Sequence, residues 1–413
     1  MATKNALRAL EMIRRTSKAA AAHRVACRNA ETAAEELAAA VAQLDHWYQQ
    51  LAGAATGAEA EQRAAALLAA TADHDTAVAK ASKAESKRRR TATALRPWRA
   101  VFARYPHERD RRRATANLLE HLAGDPLALV RVADAILVQS SAGKDSLVAL
   151  HRTVVAARAA GCLDKIVVVH CDLGEAEWPG VRDLARRQAE RYGLKFIVVA
   201  DEGGFLGMVE KRGKWPDAKR RLCTSTLKRD KAGPVITLVV DALGLSEQAV
   251  VLNIMGIRGS ESASRALKTP LSVDHRTSSA NRLVLTWNII FDLSEQQVWQ
   301  EIADNGLEYH PIYDTLLPRL SCVYCVLAGP DWLVLATRVC FALGLPLPDR
   351  YVALERQIGH SFKQDISISA IVAGARMLDA LDGPLTWRRG DALRQQLGPD
   401  AADEYLDRLA LAC

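Results

Sequence analysis

The chain has 413 residues, 49% hydrophobic and 25% charged, with a net charge of +7. That balance suits a globular protein with one large core or two moderate ones. No run of eighteen apolar residues occurs and the basic N-terminus lacks an apolar stretch ending in a cleavage site, so neither a membrane span nor a secretory leader is expected and a cytoplasmic location is.

Residues 5–52 and 59–95 are alanine-rich with charges at helical intervals, and Gly53, Thr56 and Gly57 separate them. They predict two antiparallel helices, a hairpin over 1–95. Alanine favours helix but buries little apolar area, so the hairpin requires a partner, a second copy or nucleic acid. A basic linker or helix over 96–130 follows. From Lys87 to Arg113 there are 11 basic residues, ten of them Arg, against Glu108 and Asp110. That stretch is +9 and the remainder of the chain about −2, which points to a phosphate backbone as partner, with a solvated basic helix as the alternative. Trp98, Phe102 and Tyr105 either stack on bases or dock the segment on the rest of the protein.

Residues 134–146 read D-A-I-L-V-Q-S-S-A-G-K-D-S. Ile136, Leu137 and Val138 predict a strand buried on both faces, and a helix over 147–160 follows at once. Ala142 and Gly143 leave the intervening backbone open, and a helix N-terminus presents unpaired N–H groups to an anion. Ser141 and Ser146 add hydroxyls, Lys144 adds positive charge, and Asp145 either carries a magnesium ion or caps the helix. The glycine spacing is not that of the Walker loop.

Beyond it, strands are expected over 165–170, 195–200, 249–254 and 283–290 and a helix over 178–192, a βαβαβ order that predicts an α/β fold with a doubly wound, mostly parallel sheet. Ligands then collect at the strands' C-terminal ends, where the loop, H-C-D-L-G at 170–174 and G-I-R at 256–258 all fall. R-L-C-T-S-T-L-K-R at 221–229 sets Cys223 among Arg220, Arg221, Lys228 and Arg229. Such cations favour a thiolate, as nucleophile or metal ligand, and Lys228 and Arg229 suit an anionic substrate. H-P-I-Y-D-T-L-L-P-R-L-S-C-V-Y-C at 310–325 adds a C-x-x-C pair. Cys223, Cys322 and Cys325 then suit an iron–sulfur cluster or zinc, the fourth position being Cys340 or open; the alternative is disulfide or persulfide chemistry. Cys27, Cys162 and Cys413 read as bystanders.

The loop resembles the pyrophosphate loop of the N-type ATP pyrophosphatases, S-G-G-x-D-S, with Ser141, Ala142, Gly143, Lys144, Asp145 and Ser146 falling on it in order. Ala142 is the departure: if this position needs a positive φ, alanine is strained there. Together with H-x-D-x-G, G-x-R-x-x-E-S-x-x-R and R-x-S-C-x-x-C, the loop identifies the core as similar to the phosphoadenosine-phosphosulfate reductase-like branch of that superfamily. The resemblance implies a catalytic domain over about 131–365 followed by a helical segment over 366–413. It implies that His170, Asp172 and Gly174 line the adenosine pocket, that Arg258 clamps the phosphates with Arg265 nearby, and that His310, Tyr313 and Arg319 lie beside the site. ATP and Mg2+, with a [4Fe-4S] cluster, are the implied cofactors.

Sulfonucleotide reductases end in a glutamate-cysteine-glycine-leucine-histidine tail, whereas this chain ends L-A-L-A-C and keeps Lys144, Asp145 and Ser146, which favours cleavage of ATP's α–β bond. The ATP-pyrophosphatase component of DNA phosphorothioation systems is similar in its loop, C-T-x-x-L-K stretch and C-x-x-C pair. The expected partners are therefore DNA, through the Arg-rich segment, and a cysteine desulfurase or other sulfur donor, in a homo-oligomer or multi-subunit complex. A sulfonucleotide reductase, a tRNA thiolase and a non-catalytic nucleotide- or DNA-binding subunit are the alternatives.

Overall fold

The computed structural model describes residues 2–54, 56–217 and 221–411. The chain forms two compact units, Met1–His121 and Leu122–Cys413.

In the first unit, α1 (Ala2–Ala52) and α2 (Gly57–Leu95) run antiparallel. Thr56 caps α2 by accepting from the Glu59 N–H. Ala26, Ala33 and Ala40 of α1 and Ala70 of α2 are buried, and the seven-residue spacing on α1 is that of a coiled-coil seam. A seam of single methyl groups contributes only about 0.8 kcal/mol per buried carbon. Polar links therefore add to the pairing. Lys80 donates to Glu36 at 2.8 Å and His23 meets the Thr91 hydroxyl at 3.1 Å.

The second unit is built on six strands: β1 (Ala135–Ser140), β2 (Ile166–Asp172), β3 (Lys195–Ala200), β4 (Ala249–Ile254), β5 (Leu271–Val273) and β6 (Arg282–Trp287). Their order is β3-β2-β1-β4-β6-β5, and all pairs are parallel except β5 with β6. This is the doubly wound, mostly parallel sheet expected. The fifth expected strand ends at Trp287, short of 290, and the short antiparallel β5 precedes it. Ile136, Leu137 and Val138 are fully buried, as a central parallel strand covered on both faces requires. Strand order reverses between β1 and β4, so the crevice for a ligand opens where the loops after these two strands meet.

Residues beyond 365 pack into this same unit: Arg338 pairs with Asp379 at 2.6 Å and Arg389 with Asp314 at 2.9 Å. No described helix is long and apolar enough to cross a membrane.

Candidate functional site

The turn after β1 is tight because Ala142 adopts φ +58°, the left-handed conformation that costs an alanine roughly 1–2 kcal/mol. Its methyl group is fully buried in an apolar cluster that includes Leu173, Ala176 and Ile312. Internal hydroxyls hold the turn. Ser140 Oγ accepts from the Ala142 N–H, and Ser146 Oγ accepts from the Ser141 N–H while donating to the Gly143 carbonyl at 2.9 Å. The Lys144 N–H, first in the helix Lys144–Ala160, donates to the Tyr313 hydroxyl at 3.0 Å. Among the described residues, the N–H groups of Gly143, Asp145 and Ser146 have no hydrogen-bond partner. Three converging donors at a helix N-terminus are an anion seat.

Gly256, just past β4, closes the other wall. A β-carbon there would lie 2.7 Å from the Asp145 carbonyl carbon and the Ser146 nitrogen, so only glycine lets the two crossover loops touch.

The charges around this seat neutralise one another. Arg258, 4% exposed, donates through Nε to Asp145 Oδ1 at 2.6 Å. Lys144, 2% exposed, donates through Nζ to the Pro318 carbonyl at 2.9 Å and stands 3.2 Å from Glu295 and 3.8 Å from Asp145. Arg265 pairs with Glu261; burial, then the charges of Arg319, Arg258 and Arg221, lowers its pKa. Arg265 and Arg319 line the same cleft. This cleft, of about 150 Å³, is lined by Ser141, Gly143, Lys144, Asp145, Ser146, Arg265, Arg319 and their neighbours. A second of about 320 Å³ shares Lys144, Glu261 and Arg319 and adds Arg258 and Glu295. Glu295 was not legible as a site residue. The signals for it were its place after β6, at the C-terminal edge of the sheet, and the capping box that Ser294 and Gln297 form around it.

Four expected positions lie apart from these two clefts. His170 lines neither cleft: it is fully buried, and its Nδ1 donates to the Ser140 carbonyl at 3.0 Å. It fixes the end of β1. Its Nε2 lies 3.6 Å from Glu177 without a hydrogen bond among the described residues. Asp172 and Gly174 line a cleft of about 490 Å³ with Asp201, Gly203 and Gly204, which shares no lining residue with the loop cleft. Lys228 lies in the π-helical turn Ser225–Arg229 and lines none of these clefts. Its charge acts on Cys322 and Cys171, opposing the upward push of burial on both thiols. Arg220 and Cys413 lie outside the described residues.

The thiols divide. Cys340 is fully buried in the helix Pro330–Ala342, and burial alone pushes it up to about 12. Cys322 is likewise pushed up to about 12 by burial, with Cys325 and Cys223 close enough to contribute. Among the described residues no three His, Cys, Asp or Glu side chains are arranged to hold a metal ion. Cys223, Cys322, Cys325 and Cys340 thus do not form a metal site among the described residues, and Cys340 belongs to the apolar core.

Tyr313 is positioned from below. His310 accepts the Ile312 N–H on Nδ1 at 3.1 Å and donates through Nε2 to the Pro179 carbonyl at 3.0 Å, capping the turn Pro311–Thr315. Asp314, 1% exposed, accepts from the Tyr309 hydroxyl at 2.7 Å, from Arg389 at 2.9 Å and from the Ala392 N–H at 3.1 Å. A buried carboxylate so satisfied makes a rigid base for its neighbour.

No curated protein matches the chain. The phosphoadenosine phosphosulfate reductase domain matches residues 135–328, a span that begins at β1 and takes in the loop, Gly256, Arg258, Tyr313 and the C-x-x-C pair. Through these residues the stretch 135–328 of the chain is similar to the phosphoadenosine phosphosulfate reductase domain.

Proposed function

We propose that the protein is an ATP pyrophosphatase that adenylates an acceptor oxygen for sulfur transfer, the acceptor being a DNA phosphodiester. The observation that carries this reading is the loop itself: three unpartnered N–H groups beside Lys144, Asp145 and the buried Arg258. Those donors suit the β- and γ-phosphates, and Arg258, Arg265 and Arg319 suit the charge that grows on departing pyrophosphate. The acceptor oxygen attacks the α-phosphorus, the α–β bond breaks and pyrophosphate leaves. A persulfide carried by a separate donor, such as a cysteine desulfurase, then attacks the activated phosphorus through its outer sulfur, AMP departs with the original oxygen, and a second thiol breaks the resulting S–S bond, leaving the thiophosphate on DNA and a disulfide that a dithiol reductant must reopen.

Magnesium fits here as an ion held mainly by the phosphates. Asp145, Glu261 and Glu295 line the two clefts as oxygen donors, and one or two carboxylates are enough for it. When bound, it neutralises phosphate charge. The chain's own part is to seat the anion on backbone N–H groups and to keep Lys144 and Arg258 poised through carboxylates that phosphate can displace.

Asp145→Asn tests the reading, because it preserves a hydrogen bond to Arg258 while removing the carboxylate charge. The expected result is loss of DNA-dependent ATP–pyrophosphate exchange with an unchanged melting temperature. Retained exchange would take the loop out of the mechanism. Release of sulfite from an adenosine phosphosulfate by wild type, with no exchange, would establish a sulfonucleotide reductase instead.

A further inference from the structure

The Arg-rich stretch is only half of a larger surface. Because α1 and α2 run antiparallel, the first turns of α1 lie beside the last turns of α2, at the end opposite the turn near Thr56. Residues 2–30 hold seven basic residues against Glu11 alone, and 76–113 hold thirteen against three acidic ones. The intervening residues 31–75 hold eight acidic residues and only Arg63 as a basic one. The hairpin is thus strongly positive at one end and negative at the other. Contacts across the positive end confirm the juxtaposition: Arg111 donates to the Ser17 hydroxyl at 3.2 Å, Arg24 to Glu108 at 3.0 Å, and Arg15 sits 5.8 Å over Trp98.

Several of these cations are internally engaged. Arg88 and Arg89 share Glu85, and Arg24 and Arg112 share Glu108. Arg8, Lys18, Arg28, Lys87, Arg96 and Arg104 are exposed and have no carboxylate partner among the described residues. They come from both helices and the segment after them.

We infer that this joint end of the hairpin is a docking surface for duplex DNA, with Arg8 and Arg28 of α1 contributing as much as the Arg-rich stretch. The inference rests on the proposed DNA acceptor. Charge complementarity selects a polyanion. The 29 residues from 2 to 30 rise about 43 Å, roughly 13 base pairs of a duplex. Duplex is favoured over single strand because the described aromatics Trp98 and Tyr105 are occupied: Trp98 carries Arg15, and Arg104 covers Tyr105 at 5.5 Å. A single-strand surface needs open stacking faces.

The test is fluorescence anisotropy of the full chain with a 24-base-pair duplex from about 50 to 300 mM KCl. If about six cations meet phosphates, log K falls against log salt with a slope near −5. Arg8→Glu with Arg28→Glu should weaken binding at least tenfold and flatten the slope by about 2, with ATP affinity and melting temperature unchanged. Arg63→Glu, at the acidic end, should stay within twofold of wild type. Unchanged affinity in the double variant would overturn the inference, as would equal binding to single strands or to phosphatidylserine vesicles. Duplex binding that persists without ATP–pyrophosphate exchange would sink the proposed reaction and leave the surface standing. Exchange on DNA with affinity untouched by the double variant would do the reverse.

Discussion

Gly256→Ala is the sharpest test of how the loop is held. The added methyl would stand 2.7 Å from two backbone atoms and 2.8 Å from the Asp145 carbonyl oxygen, against ordinary contacts of about 3.5 Å or more. Neither partner is a flexible side chain, so the loop or the end of β4 must retreat by roughly 0.7 Å. Overpacking of that kind costs about 1–3 kcal/mol, and backbone obstruction puts this case near the upper end. For a unit of this size, 3 kcal/mol lowers the melting temperature by about 6–12 °C. The displacement also moves the Asp145 and Ser146 N–H groups away from the anion seat, and misplacement of about 1 Å at a reacting centre reduces rate by about a hundredfold. Scanning calorimetry with ATP–pyrophosphate exchange reads both effects. Gly259→Ala is the control: there the added methyl meets only the Phe291 ring at 3.1 Å, and a ring can turn aside. If Gly256→Ala melts and turns over like wild type, the two loops do not pack as described.

Tyr313→Phe removes the acceptor of the Lys144 N–H and should cost about 1–3 kcal/mol in urea unfolding; an unshifted midpoint would remove the tyrosine from the loop's support. Ala142→Gly relieves about 1–2 kcal/mol of left-handed strain but loses a buried methyl worth about 0.8 and gains unfolded-state freedom worth about 0.4–1 kcal/mol. Its stability should therefore stay within about 1 kcal/mol of wild type, and a change beyond about 2 would contradict that balance. Burial holds His310 and His151 below the usual histidine value. Their neutral forms are favoured on folding, so the unfolded chain binds protons first as pH falls. The stability they contribute is complete above about pH 6.5 and is lost as pH drops through the folded values. Unfolding free energy should decline from pH 7 to 5 and decline less steeply in His310→Gln; an identical slope in that variant would assign the loss elsewhere.

The order of strands and the loop were legible because each rests on local signals: an apolar run, small residues, a helix start. Even Ala142 was legible as a conditional, since the strain it would carry at positive φ is a property of alanine itself. Glu295 was not, because 150 residues separate it from Asp145 and only the sheet order brings them together. The burial of Cys340 escaped for a similar reason: spacing identifies a candidate ligand, but packing by distant helices decides whether its thiol can ionise. Leu271–Val273 is too short to give a periodic signal. The basic hairpin end was half legible, as a run within 87–113; its counterpart in α1 is scattered along one helix and becomes a surface only when the chain doubles back.

The base beneath Tyr313 has a consequence for where the folded unit can be cut. Asp314 owes its counter-ion to Arg389, sixty-one residues past the end of the matched domain at 328. A fragment trimmed to that domain would lose the Arg389 and Ala392 partners that satisfy this carboxylate, directly beside the tyrosine that steadies Lys144. The final helices are thus a keystone for the phosphate loop, although they contribute no residue to the clefts around Ser141 and Arg258.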